Sequence, residues 1–318
     1  MAPSSPIKPV AVLLAGLLCA CVRGGVLDFT PADAKLAYGA AAGLVRDCTP
    51  RNAGTPEGLR AAEWIVRRSR ELRLPSRLDR FRAQVYADQV EFANVVAEFP
   101  GTDPDAPWIV LMSHFDTAPT AAKGFEGAND GASTCGLLMA LGCALRRAPR
   151  VRENVMLVWT DAEECRIAYM PRDGFQGSKR LLETVRTRRL PVKAVVCLDM
   201  LGDRDLNIVI PANTTPGLRD LALAAARTAG VADKVARRDT IVVKDDHSAF
   251  FDAGYPAIDL IDFEFGSAPG KNDYWHTPKD TMDKISERSL LASGRLAAEL
   301  LNLLVNLSPG GVQVRRSR

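Results

Sequence analysis

The stretch Asn154-Val-Met-Leu-Val-Trp-Thr-Asp-Ala-Glu-Glu164 joins a strongly apolar segment to a pair of adjacent carboxylates. An apolar run of this length predicts a strand buried in the centre of a sheet. Two acidic side chains directly after such a strand suit a division of labour, in which one binds a metal ion and its neighbour moves protons. We therefore interpret Glu163 and Glu164 as site residues rather than as a solvated surface pair.

Two other apolar segments end in the same way. The segment Trp108-Ile-Val-Leu-Met-Ser-His114 is followed by Asp116, and the run Ala194–Leu198 is followed by Asp199. Open α/β sheets place their ligand sites beyond the carboxyl ends of the strands. The three strand ends are therefore expected to meet at one shared site.

Helix and strand patterns alternate along the chain outward from these strands. Thr30-Pro31 and Thr55-Pro56 each put a capping hydroxyl before a proline, which predicts two helix starts. The alternation predicts a single α/β domain with a mostly parallel, mixed central sheet and helices on both faces. The predicted helices cover 31–46, 57–73, 133–147, 177–188, 216–229 and 286–307. The predicted strands cover 90–99, 108–114, 154–160, 192–199 and 256–261, and the turn Pro100-Gly-Thr-Asp-Pro104 is expected to join the first two.

Length and charge limit the class of protein. A chain of 318 residues, 47% of them hydrophobic, can bury one large core, so we predict one catalytic domain over 31–307 and a polar basic tail over 308–318. The formal net charge is only +3, and the basic clusters are scattered between apolar segments. A nucleic-acid partner is therefore not expected.

The first residues predict export. A single Lys8 precedes the apolar run Val10–Leu18, which is too short to span a bilayer but suits the core of a signal peptide over 1–20. Cleavage before Cys21 would resemble processing of a bacterial lipoprotein, with Cys21 lipidated; ordinary secretion by cleavage nearby is the alternative. We expect a periplasmic or extracellular protein, which contacts a membrane only through such a lipid anchor.

Further candidate ligands lie outside the strand ends. Asp130 stands in Gly127-Ala-Asn-Asp-Gly, where glycines allow the backbone to approach a metal, and His276 follows Tyr274-Trp275. Asp116 is two residues from His114, so its carboxylate could orient the imidazole from the second shell. Zinc prefers imidazole and carboxylate ligands, and a catalytic site uses three of them. Asp246, in Asp245-Asp246-His247, is interpreted as a helix cap.

The order and spacing of these motifs resemble the zinc exopeptidase superfamily, which contains leucyl-type aminopeptidases and glutaminyl-peptide cyclotransferases. The resemblance covers roughly 35–307 and implies the phosphorylase/hydrolase-like fold of that superfamily. The long loop Cys165–Gln176, the tryptophan directly before His276, and Asp-Asp-His before an apolar helical turn are similar to the glutaminyl cyclase branch. Tyr169 departs from that pattern, because the animal enzymes tend to have tryptophan there.

The resemblance implies a role for each site residue. Asp130, Glu164 and His276 would hold one zinc ion, Glu163 would be the general acid/base, and Asp199 with Asp245 would form a carboxylate network. Trp275 and Tyr169 would contact the substrate, a peptide or protein N-terminus. In the alternative, a two-zinc aminopeptidase, His114 and Asp199 would complete a second metal position. A non-catalytic binding ectodomain is a third reading, which the intact set of candidate residues disfavours.

Overall fold

The computed structural model describes residues 27–170 and 172–307. The predicted signal peptide, Cys21, Pro171 and the predicted tail 308–318 lie outside the described residues. The helices are α1 (Pro31–Cys48), α2 (Pro56–Glu71), α3 (Thr134–Arg147), α4 (Gln176–Thr187), α5 (Pro216–Thr228), α6 (His247–Asp252) and α7 (Glu287–Asn306). The strands are β1 (Ser76–Val85), β2 (Asp88–Phe99), β3 (Trp108–His114), β4 (Asn154–Thr160), β5 (Val192–Asp199), β6 (Ile208–Pro211), β7 (Val235–Arg238) and β8 (Ala257–Ile261).

One mixed sheet of eight strands organises these elements, in the order β1-β2-β4-β3-β5-β8-β6-β7. Its centre, β4-β3-β5-β8, is parallel throughout, whereas β1, β2 and β6 pair antiparallel with neighbours. The predicted fold class, a mostly parallel mixed sheet in a single α/β domain, is confirmed. The carboxyl ends of the four central strands lie at one edge of the sheet.

Each face of the sheet has its own core, because successive side chains of a strand point to opposite faces. Ile109 and Leu111 of β3 face the larger core, which includes residues of α1, α3, α5 and α7. Val110 and Met112 face a smaller core formed with residues of α4 and α6. Helices therefore cover both faces, as the alternation predicted.

The turn Pro100–Pro104 does not join neighbouring strands. The strands on either side of it, β2 and β3, are separated in the sheet by β4, which pairs with both. Because β4 lies between them, the connection is a crossover rather than a hairpin. Within the described residues, no helix is both long and apolar enough to span a membrane.

Candidate active site

The predicted site residues lie together at the carboxyl edge of the sheet. His114 ends β3, Asp199 ends β5, and Glu163 and Glu164 lie just beyond β4. Asp130 lies in the turn Ala128–Ser133 that leads into α3, and His276 lies in the loop between β8 and α7.

The backbone is strained at three points around the site. Ala162, Met200 and His276 have φ values of 57°, 54° and 57°, in the left-handed region that residues with a side chain rarely adopt. Such conformations cost about 1–3 kcal/mol each and persist where the surrounding structure holds them, commonly at functional sites. Ala162 directly precedes Glu163, Met200 directly follows Asp199, and His276 is itself a predicted site residue.

Asp130, Glu164 and His276 form one group of possible metal ligands. His276 Nε2 lies 2.8 Å from Glu164 Oε1 and 3.4 Å from Asp130 Oδ2. Zinc–ligand bonds of about 2.0–2.2 Å place neighbouring ligand atoms roughly 3–3.5 Å apart, so this set fits a zinc-sized ion. Asp130 Oδ2 is buried, and no described residue satisfies it with a hydrogen bond. A cation there would offset the cost of burying that oxygen.

The charges in this group depend on one another. Burial opposes a positive charge on His276, but Asp130 and Glu164 outweigh it and raise the pKa of His276 to about 10. Burial likewise opposes the charge on Asp130, yet His114 and His276 hold the pKa of Asp130 below its usual range. Because metals bind the neutral imidazole, a proton and a metal ion compete for His276.

A second group, His114, Asp130 and Asp199, lies beside the first. His114 Nε2 is 3.1 Å from Asp130 Oδ1 and 3.1 Å from Asp199 Oδ1. Asp130 thus turns one oxygen to each group, as a carboxylate does when it bridges two ions. His114 Nε2 and Asp199 Oδ1 are also close enough to form a direct hydrogen bond with each other.

Glu163 lies beside the candidate metal ligands without belonging to either group. Its side chain is buried, and burial followed by the charge of Glu164 raises its pKa well above the usual value. A carboxyl group with a raised pKa is a stronger base than an ordinary carboxylate, which suits a group that accepts and returns a proton. The geometry therefore suits the predicted acid/base role, which stays a prediction.

Asp116 has two contacts at the site. One of its carboxylate oxygens lies 3.6 Å from His114 Nδ1, and the carboxylate also holds the backbone of Glu163 and Glu164. Its two oxygens accept the N–H groups of Glu163 at 3.2 Å and Glu164 at 3.1 Å. This contact arises because β3 and β4 are neighbours, so the segments that follow them meet at the sheet edge.

The turn that carries Asp130 is held by two residues that the sequence did not reveal as site residues. The Asp280 carboxylate accepts the N–H groups of Asn129 at 2.7 Å and Asp130 at 3.1 Å. The buried Arg51 guanidinium donates to the carbonyls of Phe115, Glu126 and Gly127. The sequence signal for Arg51 is weak, since a lone arginine in a loop is normally exposed.

Gly131 is required for the close packing of this turn against β3. A Cβ atom at Gly131 would lie 2.6 Å from the His114 carbonyl oxygen and 2.7 Å from His114 Nε2. No larger residue could keep both His114 and Asp130 in place, which explains the glycine directly after Asp130.

Two further buried acids, Asp245 and Asp259, lie close enough to Asp199 to feel its charge. Burial followed by the charge of Asp199 raises the pKa of Asp245 to about 7, and burial followed by Asp245 raises the pKa of Asp259 well above its usual value. Cys197, Asp245 and Asp259 lie close enough to hold an ion. Their raised pKa values favour the protonated forms, which do not bind cations, so we assign no metal to them. Asp259 was missed, although an acid inside the apolar strand β8 is itself a signal.

Asp246 occupies the N-cap position of α6, as predicted, but its side chain does not cap the helix. The side chain makes no capping hydrogen bond and instead accepts one from the Thr160 hydroxyl at the end of β4. The residue is fully buried, so its carboxylate takes the partner that the sheet edge offers.

A cavity of about 270 Å³ opens onto these groups. Glu163, Glu164, Asp199, Asp245 and both predicted substrate-binding residues, Tyr169 and Trp275, line it. The Trp275 ring stacks on the His276 ring with centroids 3.8 Å apart. A larger groove of about 420 Å³ lies at the opposite edge, near the start of β4, but none of the predicted site residues, all of them described, lines it.

Tyr169 also makes a contact that the sequence did not predict. Its hydroxyl donates a 2.5 Å hydrogen bond to Glu164 Oε2, the oxygen that faces away from His276. The loop that carries Tyr169 is pinned by Asp173, which accepts the N–H groups of Arg166, Ile167 and Ala168.

Comparison with known proteins finds relatives of the whole chain. The chain is similar to a glutaminyl cyclase from an Acidobacteriales bacterium, with 30% identity, a TM-score of 0.78, and 95% of this chain and 99% of that one covered. It is 26% identical to the glutaminyl-peptide cyclotransferase-like protein of Bos taurus, over 79% of this chain and 71% of that protein. A leucine aminopeptidase precursor from Bacteroides thetaiotaomicron has a TM-score of 0.73 at 22% identity, over 89% of this chain and 100% of that one, and so shares the fold.

The family assignment rests on the region that contains the site. The model of peptidase family M28 matches residues 94–301, which include every candidate metal ligand and Glu163. The chain belongs to peptidase family M28.

Proposed function

We propose that this protein is a zinc-dependent glutaminyl-peptide cyclotransferase, which converts the N-terminal glutamine of peptides to pyroglutamate and releases ammonia. The observation that carries the proposal is the position of Glu163 in the cavity wall, which also contains Glu164 of the Asp130–Glu164–His276 group and Trp275. The similarity to the Acidobacteriales glutaminyl cyclase over 95% of the chain supports it.

Asp130, Glu164 and His276 would hold one zinc ion, which when bound polarises the side-chain amide of the glutamine as a Lewis acid. Tyr169 and Asp116 orient Glu164, through its side chain and its backbone respectively. Trp275 packs against His276 and presents its ring to the cavity, where it excludes water from the glutamine side chain.

Glu163 would handle the protons. In cyclisation, the substrate α-amine forms a bond to the amide carbon while the bond from that carbon to the amide nitrogen breaks. Glu163 takes the proton that the amine loses and returns it to the departing nitrogen, which leaves as ammonia. Asp199 and Asp245 lie in the same wall, and their raised pKa values let them share a proton with the intermediate.

A two-zinc aminopeptidase is the second candidate. It is favoured by the complete second group, in which His114 and Asp199 stand close to Asp130 Oδ1. His114→Ala separates the two functions: little loss of activity and an unchanged zinc content support one ion, whereas near-complete loss together with half the zinc content supports two. The intact Glu163 and ligand set argue against a non-catalytic binding protein.

The test of the proposed chemistry is Glu163→Gln. The substitution keeps the shape of the side chain but removes the base, so turnover of a glutamine-initiated peptide should fall by about 10²–10⁴-fold. Bound zinc, measured by elemental analysis, should not change. Glu183→Gln, on the exposed face of α4, is the matched control. Full activity of Glu163→Gln would rule out both enzyme hypotheses.

We also propose that the protein is exported and anchored through Cys21. The run Val10–Leu18 and the position of Cys21 after Leu18-Cys19-Ala20 support this. Cys21→Ala should move the mature protein from the membrane fraction to the soluble fraction of the cell envelope. An unchanged distribution would favour ordinary secretion.

A further inference from the structure

Large apolar side chains that remain exposed in the described part of the chain concentrate around the cavity mouth. We call six of them the mouth patch: Ile167, Tyr169, Met170, Ile241, Val242 and Phe263. Tyr169, Ile241, Val242 and Phe263 line the cavity itself, and Ile167 and Met170 belong to the same loop as Tyr169. The remaining exposed residue of this kind, Tyr86, contacts that loop through the Ala168 carbonyl.

The exposure is considerable. Ile167 is 67% exposed, Val242 66% and Met170 55%. Single exposed aliphatic residues are common on proteins, but a contiguous group of them marks a binding surface. Since the group coincides with the rim of the candidate active site, its natural occupant is something that also enters the cavity.

The rim is held in place by polar contacts of the backbone. The Asn213 side chain accepts the Val243 N–H at 3.1 Å and donates to the Val243 carbonyl at 2.6 Å. Ala212 N–H donates to the Ile241 carbonyl at 2.7 Å. These bonds hold the backbone of the segment, while the side chains of Ile241 and Val242 remain 44% and 66% exposed.

Phe263, another residue of the mouth patch, packs against Trp275, with ring centroids 5.5 Å apart. The aromatic wall of the cavity is therefore continuous with the rim. A peptide whose first residue contacts Trp275 must leave past Phe263, Val242 or Tyr169.

We propose that the mouth patch binds apolar side chains at the second and third positions of the peptide substrate, an inference that rests on the proposed function. A cavity of about 270 Å³ is too small to enclose three residues of a peptide, so the chain that follows the glutamine must cross the rim. Apolar side chains there would remove both their own surface and that of the patch from water.

The test compares the amidated peptides Gln-Leu-Phe-Ala and Gln-Ser-Asn-Ala. Partial burial of two apolar side chains should give the first peptide a kcat/KM about tenfold higher. In the double variant Ile241→Thr with Val242→Thr, which keeps the branching at Cβ but adds a hydroxyl at both positions and shortens the first side chain, the ratio should fall to within about twofold. Val235→Thr, half-buried at the start of β7, is the matched control and should keep the tenfold ratio.

A second readout separates failure of the patch from failure of the proposed function. The Kd values of both peptides are measured by calorimetry on Glu163→Gln, with and without the double substitution, where no turnover is needed. Absence of ammonia release in the wild type would refute the cyclase, while a tenfold difference in Kd that the double substitution removes would still support the patch.

Three results would overturn the inference. One is equal kcat/KM and Kd for the two peptides, and another is a preference that the double substitution leaves intact. The third is self-association or liposome binding that the double substitution abolishes in the absence of any peptide preference. That result would assign the patch to a second copy of the chain or to a lipid surface.

Discussion

At the scale of single residues, Tyr169 links the candidate metal site to the cavity. Its hydroxyl lies 2.5 Å from Glu164 Oε2, while Glu164 Oε1 faces His276. A hydrogen bond to the outer oxygen of a ligand fixes its orientation, and losing such a partner typically costs 10–100-fold in metal affinity. Sequence similarity gave Tyr169 only a substrate-binding role.

Tyr169→Phe should therefore weaken zinc binding by about tenfold, as measured by competition with a chromophoric chelator. The ring and its stacking on Phe175 stay, so the loop should keep its position. Tyr86→Phe is the control, because the Tyr86 hydroxyl contacts the same loop at the Ala168 carbonyl without touching a ligand. Equal zinc affinity in wild type and Tyr169→Phe would contradict the positioning role.

Sequence reasoning found the residues whose chemistry is visible at a strand end or beside a glycine. The structure brings together Asp130, Glu163, Glu164, Asp199 and His276, as expected from parallel strands ending at one edge. Sequence reasoning could not find Arg51 and Asp280, because these residues bind backbone groups of the turn that carries Asp130. Such contacts depend on tertiary packing and leave no local pattern.

At the scale of elements, the predicted helices and central strands agree with the structure because their apolar periods are long. The final helix was expected at 286–307 and forms at Glu287–Asn306, with the Ser286 hydroxyl capping it through the Ser289 N–H. We did not predict β1, β6 or β7. The apolar residues of β1 are interrupted by arginines, and β6 and β7 are too short for their pattern to stand out.

The segment after β8 contains an acid that should make stability depend on pH. Asp262 accepts the N–H groups of Asn207 at 2.8 Å and Glu264 at 3.1 Å, and burial raises its pKa to about 7. Between pH 4 and 7 the folded protein therefore keeps a proton that the unfolded chain has lost. The free energy of unfolding should fall as the pH rises through this window.

Asp262→Asn removes this titration, so the variant should gain stability relative to wild type as the pH rises from 4 to 7. The gain should be on the order of 2–4 kcal/mol, and denaturant unfolding at several pH values measures it. Groups at the candidate metal site titrate equally in both proteins, so their contribution cancels when the free energy of unfolding of wild type is subtracted from that of the variant. Asp103→Asn, a surface change, is the control, and parallel curves for wild type and Asp262→Asn would contradict the burial of a proton there.

At the scale of the whole molecule, one edge of the sheet concentrates buried acids. Asp130, Glu163, Glu164, Asp199 and Asp245 are all buried there, and the imidazoles of His114 and His276, with the buried Arg51 nearby, offset part of their charge. A divalent cation would relieve this repulsion, and a ligand that binds only the folded state stabilises it.

Removal of metal with a chelator should therefore lower the Tm by roughly 5–10 °C, as measured by calorimetry. Adding back zinc should restore the Tm, whereas magnesium, which prefers octahedral oxygen sites, should not. An unchanged Tm after verified metal removal would contradict this account. It would show that the buried carboxyl groups reduce their repulsion by sharing protons rather than by binding a cation.

The fold alone does not choose between the two reactions, because cyclases and aminopeptidases share it. The choice rests on the cavity, where Trp275, Tyr169 and Glu163 surround the space next to the ligands. In a cyclase the nucleophile is the α-amine of the substrate itself. The cavity wall therefore only has to hold the glutamine in a conformation that brings its α-amine close to its side-chain amide carbon. In an aminopeptidase the wall must also admit an activated water.

The most direct measurement is mass spectrometry of two peptides incubated with the zinc-loaded mature protein, one beginning with glutamine and one with leucine. Loss of about 17 Da, one ammonia, from the glutamine peptide alone is the predicted result. Loss of the whole first residue, from the leucine peptide above all, would contradict the cyclase and establish a two-zinc aminopeptidase.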